Sequence, residues 1–233
     1  MAEPERSFEA ARIDLQSLEE EISPFLHQQE SFSRAYEVSL LSSICSLARS
    51  TLILHEAGQH FDAEITLRAF FEYSIELDFV LKNPEHHNRL QLEYEGHQKK
   101  ILTEAENGNP YYRKIASHSD TSTKLSQINE RIASLKFSGV KEPQNLDQKY
   151  QTFDRTTEYE SVYRSLCRMT HPTYAGAIKR NLRISPDKSS AYSIELYPVA
   201  HETTQDVIAD ALCGVLRQTL QSVEILKGHA EKI

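Results

Sequence analysis

The chain has no tryptophan and few of the residues that interrupt regular structure, with 7 glycines and 8 prolines among 233 residues. So few breakers favour long helices over many short strands. The three cysteines, Cys45, Cys167 and Cys213, are odd in number and far apart, which fits neither a disulfide framework nor a metal site built on close cysteine pairs. We expect them to be reduced, buried, small apolar residues of a cytoplasmic protein.

The chain begins "MAEPERSFEAARIDLQ", without the basic start and apolar block of a signal peptide. The apolar runs fall short of the ~20 residues that span a bilayer. A net charge of −8 argues against a protein that coats nucleic acid, which needs basic stripes, although it is compatible with a local basic pocket. These features predict a cytoplasmic protein with no membrane segment.

Apolar side chains recur at three- and four-residue steps along most of the chain, which is the period of an amphipathic helix. With 39% hydrophobic and 26% charged residues, the composition is that of an ordinary folded protein, and the length suits a single helical domain over residues 1–233. Residues 138–150 are predicted to be a loop, and residues 1–30 an acidic N-terminal helix. Helices are predicted over residues 5–29, 33–57, 61–82, 84–106, 121–137, 157–171 and 202–227.

One short region has the two-residue period of a strand. The segments "NLRIS" and "AYSIELYP" alternate apolar and polar residues on either side of "PDKSS", which predicts a β-hairpin over residues 181–198. The predicted fold class is therefore all-α, a multi-helix bundle with one small β-hairpin before the last helix.

Several histidines could be mistaken for metal ligands. His86, His87 and His97 fall on a polar helical pattern with no adjacent cysteine or aspartate pattern, so we expect solvated surface residues. His55 and His60 flank a turn and have the same interpretation. We predict no metal site and no cofactor.

The most apolar predicted helix carries a stripe of charge at every fourth position, formed by Glu64, Arg68, Glu72 and Glu76. In one interpretation the stripe is the only solvent-exposed face of the helix, and local Glu–Arg ion pairs stabilise it. In the other, Arg68 and Glu72 point into the bundle, where their burial requires a partner. We expect that partner from the 157–171 helix, with Glu72 binding His171 or Arg164, and both Arg68 and Glu72 are candidate binding residues.

The stretch "YRSLCRMTHPTYAG", residues 163–176, places Arg164, Arg168 and His171 on one helical face. Pro172 puts His171 at the helix C-terminus, where the helix dipole favours a protonated imidazole. Two guanidinium groups and a titratable imidazole could hold a phosphate and move a proton. Alternatively, Arg164 and Arg168 pair with neighbouring carboxylates while His171 caps its own helix. The spacing alone leaves both interpretations open.

At "YRSLCRMTHP" the chain resembles the HEPN superfamily, compact helical domains marked by an arginine followed four to six residues later by a histidine near a helix end. Arg164 and His171 enclose six residues, and Ser165 stands where that superfamily usually has Asn, Asp or His. The resemblance implies a metal-independent ribonuclease of a bacterial toxin or antiviral defence system, with its site formed across a homodimer. His171 would be the general acid or base, and Arg164 would stabilise the phosphorane-like charge. Arg168, on the same helical face, is a candidate phosphate-binding residue.

The same resemblance implies an RNA substrate and a cognate antitoxin, such as a nucleotidyltransferase, or another protein partner. Many HEPN-like proteins have lost catalysis, so the alternative function is a non-catalytic helical binding or scaffold module for a partner protein or a small anionic ligand.

The chain also resembles an uncharacterised bacterial family of helical domains. The first matching block is "RAFFEYSIELDFVLKNP", which contains Arg68 and Glu72, and the second is Cys167 with His171 and Pro172. This likeness is expected to cover most of residues 35–225.

Overall fold

The computed structural model of the chain describes residues 7–27, 31–117, 120–170, 182–184, 192–194 and 202–230. It divides into two compact units, one formed by residues 1–81 with 146–233 and the other by residues 82–145. Both units are built from helices, which confirms the all-α class. That the units fold as a single domain stays a prediction.

The structure describes ten α-helices within these ranges. In order they are α1 (Phe8–Ile22), α2 (Phe32–Glu56), α3 (His60–Lys82), α4 (His86–Glu106), α5 (Arg113–Ala116), α6 (Thr121–Phe137), α7 (Leu146–Thr152), α8 (Thr156–Glu158), α9 (Arg164–Thr170) and α10 (Glu202–Ala230). Single 3₁₀ turns occupy Ser23–Phe25 and Pro110–Tyr112. A π-helical turn, Tyr159–Tyr163, joins α8 to α9.

Side-chain caps and one glycine set several helix ends in the larger unit. The Ser7 hydroxyl accepts the Ala10 N–H at 3.1 Å, and the Ser31 hydroxyl accepts the Arg34 N–H at 3.2 Å. Both serines are therefore N-caps that satisfy a backbone donor at the first turn. After α2 the chain reverses at Gly58, whose φ of +73° is accessible to glycine at low cost.

The core of the larger unit surrounds α3, as the sequence predicts from its apolar composition. Phe70, Leu67 and Ile75 have no exposed surface, and α1 packs against both α2 and α10. Helix α10 contributes a continuous apolar stripe, including Leu212, Leu216 and Val223, each with no exposed surface.

Helix α2 corrects one expectation drawn from the sequence. By length and composition alone, Ser33–Glu56 is apolar enough to cross a membrane, so the expectation that no run approaches that length is wrong. Core helices of folded proteins have the same composition, and 44% of an 18-residue apolar part of this helix is buried. Its buried residues include Leu41, Ile44 and Ala48. One such helix is weak evidence for a membrane span, and a cytoplasmic location stays a prediction.

In the smaller unit, α4 packs against α6, and polar contacts join the two helices at several levels. The Arg131 guanidinium donates from Nε to the buried carboxylate of Glu95 at 2.6 Å. Toward the connection between the helices, the Ser122 hydroxyl donates to Glu106 at 2.9 Å. The helices therefore form an antiparallel pair.

One local prediction between residues 138 and 171 fails, and one is confirmed with a refinement. Residues 146–150 fall in the predicted loop, yet they belong to α7, because Lys149 and Tyr150 are buried by tertiary packing that outweighs weak local propensity. The helix predicted over 157–171 is continuous over the described residues 156–170, but it contains the π-helical turn, which apolar spacing at a period of 3.6 does not predict.

The predicted β-hairpin over 181–198 also needs correction. Within the described part of that segment, pairing extends over three residues on each side, Leu182–Ile184 against Tyr192–Ile194. So short a two-stranded ladder is only marginally stable by itself and does not form a second structural layer. The fold class is all-α, without a hairpin as part of its architecture.

The cysteines behave largely as expected. All three are free, Cys45 and Cys213 are buried, and Cys167 is half-buried. Burial raises the pKa of Cys45 to about 12, so this thiol stays protonated and unreactive.

Two histidines lie deeper than the solvated positions expected for them. His86 is fully buried, and His60 is 6% exposed. The His60 Nδ1 atom lies 3.1 Å from the His55 Nδ1 atom, and the Phe8 ring stacks on His55 with 3.5 Å between centroids. One nitrogen of the pair must donate and the other accept, so the contact requires that the two rings are not both protonated.

A buried carboxylate ties α3 to two distant segments of the larger unit. Asp78 accepts hydrogen bonds from Arg155 at 3.0 Å, from the Gln218 amide at 2.5 Å and from the Ser222 hydroxyl at 2.6 Å. Arg155 also pairs with Glu158 at 2.6 Å. The side chains of Asp78 and Arg155 are 8% and 12% exposed, so the pair is largely desolvated.

We predict that Asp78→Ala lowers the free energy of unfolding by about 3 kcal/mol, because it leaves the buried Arg155 charge with Glu158 alone. The melting temperature should fall by roughly 6–12 °C, measured by circular dichroism. Glu160→Ala removes a carboxylate from an exposed pair and is the matched control, with an expected change within about 0.5 kcal/mol. Equal melting of the two variants would show that Asp78 is not a structural hub.

We further predict that acid weakens the fold through the His55–His60 pair. Burial lowers the pKa of both residues, and for His55 the charge of His60 lowers it further, while Glu56 opposes these effects and Arg12 adds to them. The neutral pair therefore contributes stability above the ordinary histidine pKa of about 6.5, and this contribution is lost as the pH falls below that value.

The measurement is urea unfolding at pH 7.5 and at pH 5.5. His55→Phe/His60→Leu should lose less stability between the two pH values than the wild type does. His97→Gln, at an exposed position, serves as the control and should behave like the wild type. A wild-type loss equal to that of the double variant would exclude a role for the pair.

Candidate functional site

The candidate site is built where α3 meets α9. Arg68 of α3 donates from Nε to Glu72, one turn further along the helix, at 3.1 Å. Its Nη1 donates to the Thr170 hydroxyl at 3.1 Å, and Thr170 donates in turn to the Cys167 carbonyl at 3.2 Å. A guanidinium with 28% of its side chain exposed is thus fixed against the last described turn of α9.

Tyr163 completes the contact from the π-helical turn. Its hydroxyl donates to Glu72 at 2.6 Å, and the Arg68 guanidinium carbon lies 5.8 Å from the centre of its ring. A π turn inserts one residue relative to an α-helix, and such turns recur at functional sites. Glu72 therefore accepts from two donors, one on its own helix and one on the segment that packs against it.

The protonation states of this cluster follow from its surroundings. Burial raises the pKa of Tyr163, and the hydrogen bond to Glu72 raises it further, so the phenol stays a donor. Burial disfavours the charge on Arg68, but the Tyr163 hydroxyl and the nearby Glu72 carboxylate outweigh that effect and raise the pKa of Arg68. Arg68 therefore keeps its positive charge at a partly open position, where it is paired with the Glu72 carboxylate.

The arginines of α9 face solvent. Arg164 pairs with Glu160, one turn earlier, through Nη1 at 3.0 Å, and both side chains are about half exposed. This contact agrees with the interpretation in which Arg164 binds a neighbouring carboxylate, and the expected Glu72–Arg164 pair is absent from the described contacts. Arg168 is exposed, and the predicted His171 and Pro172 lie outside the described residues.

Two of the four charged side chains in the stripe of α3 are largely buried, and the other two are partly exposed. Glu64 is 4% exposed. Glu76 forms an ion pair with Lys149 of α7, and the two side chains are 14% and 9% exposed. Of the two interpretations, the one with partners from the 157–171 helix agrees with the contacts of Thr170 with Arg68 and of Tyr163 with Glu72. These are not the residues expected to bind Glu72, and Lys149 as the partner of Glu76 was not predicted.

Sequence reasoning missed these partners for identifiable reasons. Lys149 falls in a segment predicted to be a loop, and Thr170 has no charge that would single it out. Tyr163 lies seven residues, two helical turns, before Thr170 in the same helical pattern, and its proximity to Glu72 depends on the π turn. The pattern "YESVY" at 159–163 gives the one available signal, two aromatic residues spaced to stack, and their rings do stack at 5.4 Å.

No group of three metal-ligating side chains is arranged to hold an ion within the described parts of the chain. The cluster combines a guanidinium, a phenol and a hydroxyl with one carboxylate, Glu72, which already accepts from two of these donors. Such a set does not suit a cation.

We predict that Tyr163→Phe lowers the free energy of unfolding by about 1–2 kcal/mol, because it removes a hydrogen bond to a charged acceptor in a half-buried site. Urea unfolding measures the change. Tyr159→Phe is the matched control, since the Tyr159 hydroxyl has no hydrogen bond to any described residue, and its expected effect is below about 0.5 kcal/mol. If both variants lose the same stability, the contact with Glu72 contributes nothing specific.

One protein family matches a stretch of the chain that includes both helices of this site, α3 and α9. Residues 34–189, a stretch that includes α3 and α9, match a family of unknown function, DUF5677. No curated protein and no solved structure matches the chain. The match confirms the expected membership of an uncharacterised domain family, although it ends before the predicted residue 225. Because it covers more than half of the chain, the protein belongs to the family of unknown function DUF5677.

Proposed function

We propose that the protein is HEPN-like and acts as a metal-independent endoribonuclease, with His171 as its general acid or base. The observation that supports this proposal is the hydrogen bond from Arg68 to Thr170. Thr170 directly precedes His171 in the chain. The Arg68 guanidinium of α3 therefore binds the residue next to the predicted imidazole in the sequence. Arg164 and Arg168 add two exposed cationic groups on the same short helix.

The proposed reaction needs only proton transfer and charge stabilisation. The ribose 2′-oxygen attacks the adjacent phosphorus and gives up its proton to a base while the P–O5′ bond breaks. The leaving 5′-oxygen takes a proton from an acid, and the products are a 2′,3′-cyclic phosphate and a 5′-hydroxyl. An imidazole suits either proton transfer near neutral pH, and guanidinium groups stabilise the added charge on the phosphoryl oxygens.

Two proton-transfer groups are needed, and one chain supplies a single predicted histidine. A homodimer in which two copies of α9 face each other would supply the second imidazole. In this proposal the protein acts in the cytoplasm as a toxin or defence effector, held in check by a cognate antitoxin or another protein partner.

A second candidate function is a non-catalytic binding or scaffold module. The observation that favours it is the extent of internal pairing, since Arg164 binds Glu160 while Arg68 and Glu72 bind each other and residues of the adjoining segment. In such a module the charges would hold the helices together, and a partner protein or a small anion would bind at the surface.

We predict that the wild-type protein cleaves 5′-labelled single-stranded RNA in the presence of EDTA, and that His171→Ala lowers the rate by about 10²–10⁴-fold. Arg164→Ala should lower it by about 10²-fold, because it removes a charge that stabilises the transition state. Denaturing gels resolve the products, and the cyclic phosphate identifies the mechanism.

The matched controls are His97→Ala and Arg49→Ala, which alter an exposed histidine and an exposed, paired arginine elsewhere. Both should cleave at the wild-type rate. Equal cleavage by the wild type, His171→Ala and Arg164→Ala would exclude this active site. An inactive wild-type protein would favour the binding module.

A further inference from the structure

The smaller unit differs in charge from the rest of the chain. Residues 82–145 contain ten Lys and Arg residues and eight Asp and Glu residues, a net charge of +2. Because the whole chain carries −8, the remainder carries −10. Such an asymmetry points to a polyanion as a partner of the basic segment.

A small cavity lies at one end of the α4–α6 pair, within the smaller unit. Its volume is about 220 Å³, and its polar lining comes from both helices. The first turn of α4 contributes Asn88 and Arg89, and the chain just after α6 contributes Ser138 and Lys141. Two cationic groups and two neutral hydrogen-bonding groups therefore face one concave space, which is large enough for a phosphate.

The end of α6 explains how the chain brings Lys141 to α4. The Gly139 N–H donates to the Lys136 carbonyl at 3.0 Å, and the Val140 N–H donates to the Leu135 carbonyl at 3.1 Å. This is a Schellman-type ending, and it requires the positive φ of +78° found at Gly139. The reversal satisfies the last carbonyl groups of α6 and directs the following residues back toward α4.

The cationic groups of the cavity are available to an anion. Neither Arg89 nor Lys141 forms an ion pair with any residue that the structure describes. Glu85 also lines the cavity, and its negative charge repels an anion. The balance of the lining side chains is still one net positive charge.

An exposed aromatic residue lies next to the cavity lining in the sequence. Phe137, the last residue of α6, directly precedes the lining residue Ser138, and 95% of its surface is exposed. A phenylalanine so exposed does not stabilise the core. Proteins that bind single-stranded nucleic acid combine basic grooves with aromatic rings on which unpaired bases stack.

We propose that this end of the α4–α6 pair binds single-stranded RNA, with Arg89 and Lys141 holding backbone phosphates and Phe137 stacking on a neighbouring base. The Asn88 amide offers hydrogen-bond donors to phosphate or ribose oxygens. The Ser138 hydroxyl donates to the Ser134 carbonyl at 3.0 Å and can accept a hydrogen bond from a ribose hydroxyl. The choice of RNA as the polymer rests on the proposed function, whereas the site itself rests on the cavity, its cations and the exposed ring. The site would bind a substrate strand through residues other than those that cleave it.

The test measures fluorescence anisotropy of a labelled 12-nucleotide 2′-O-methyl RNA with the full-length protein. This probe has no free 2′-hydroxyl, so it cannot be cleaved by the proposed reaction and binding is measured alone. Arg89→Ala/Lys141→Ala should reduce the slope of log affinity against log salt by about 1.4, since each lost phosphate contact on a single strand removes about 0.7. Phe137→Ala should weaken binding about fivefold or more, and a duplex of the same sequence should not respond to that change.

The matched controls lie elsewhere in the same unit. Arg113→Ala/Lys124→Ala removes two charges from exposed positions, and Tyr111→Ala removes a ring that is 92% exposed. Both should leave the salt slope and the affinity as in the wild type. All substitutions are at the surface, and far-UV circular dichroism verifies that each variant is folded.

The outcomes separate this site from the proposed catalysis. RNA binding that depends on Arg89, Lys141 and Phe137, in a protein that cuts no RNA, supports the site and refutes the nuclease. Cleavage by a protein whose binding is unchanged in the cavity variants refutes the site and leaves the nuclease intact. Absence of RNA binding at low salt, or equal losses in the cavity variants and their controls, also overturns the proposed site.

Discussion

The larger unit depends on the desolvated carboxylate of Asp78. A buried charge is tolerated only when its lone pairs are satisfied, and here a guanidinium, an amide and a hydroxyl do so. These donors come from the start of α8 and from α10, so one side chain fixes the position of α3 against two distant parts of the chain. The apolar packing around α3 supplies most of the driving force, while Asp78 restricts how those helices can be arranged.

The helices could be predicted from the sequence wherever a single face is apolar over several turns. The predicted bounds of α6 agree with the structure, and those of α2 and α3 agree within one residue. Prediction fails where tertiary contacts decide the conformation. Helix α7 is short and polar in sequence, and it is stabilised by burial of Tyr150 and by the ion pair between Lys149 and Glu76.

The candidate site was predictable in part. A charged stripe on an otherwise apolar helix is costly if it is buried without partners, so the pairing of Arg68 and Glu72 with the segment before residue 171 was one of the two interpretations that the sequence allowed. The identity of the partners does not follow, because neutral hydroxyl groups such as those of Tyr163 and Thr170 have no pattern of their own. The sequence alone did not indicate the surface around Phe137. The net positive charge of residues 82–145 becomes apparent only when they are considered as a separate unit.

The π-helical turn has a geometric consequence for the family. One extra residue in a helix shifts the angular phase of everything after it by roughly 100° relative to everything before it. Before the turn, Arg155 is directed to Asp78 of α3, whereas after it the side chains of Arg164 and Arg168 face solvent. Relatives that lack the additional residue would present their arginines on a different face of the helix. A one-residue deletion at this position in a relative's sequence would therefore indicate a different surface chemistry.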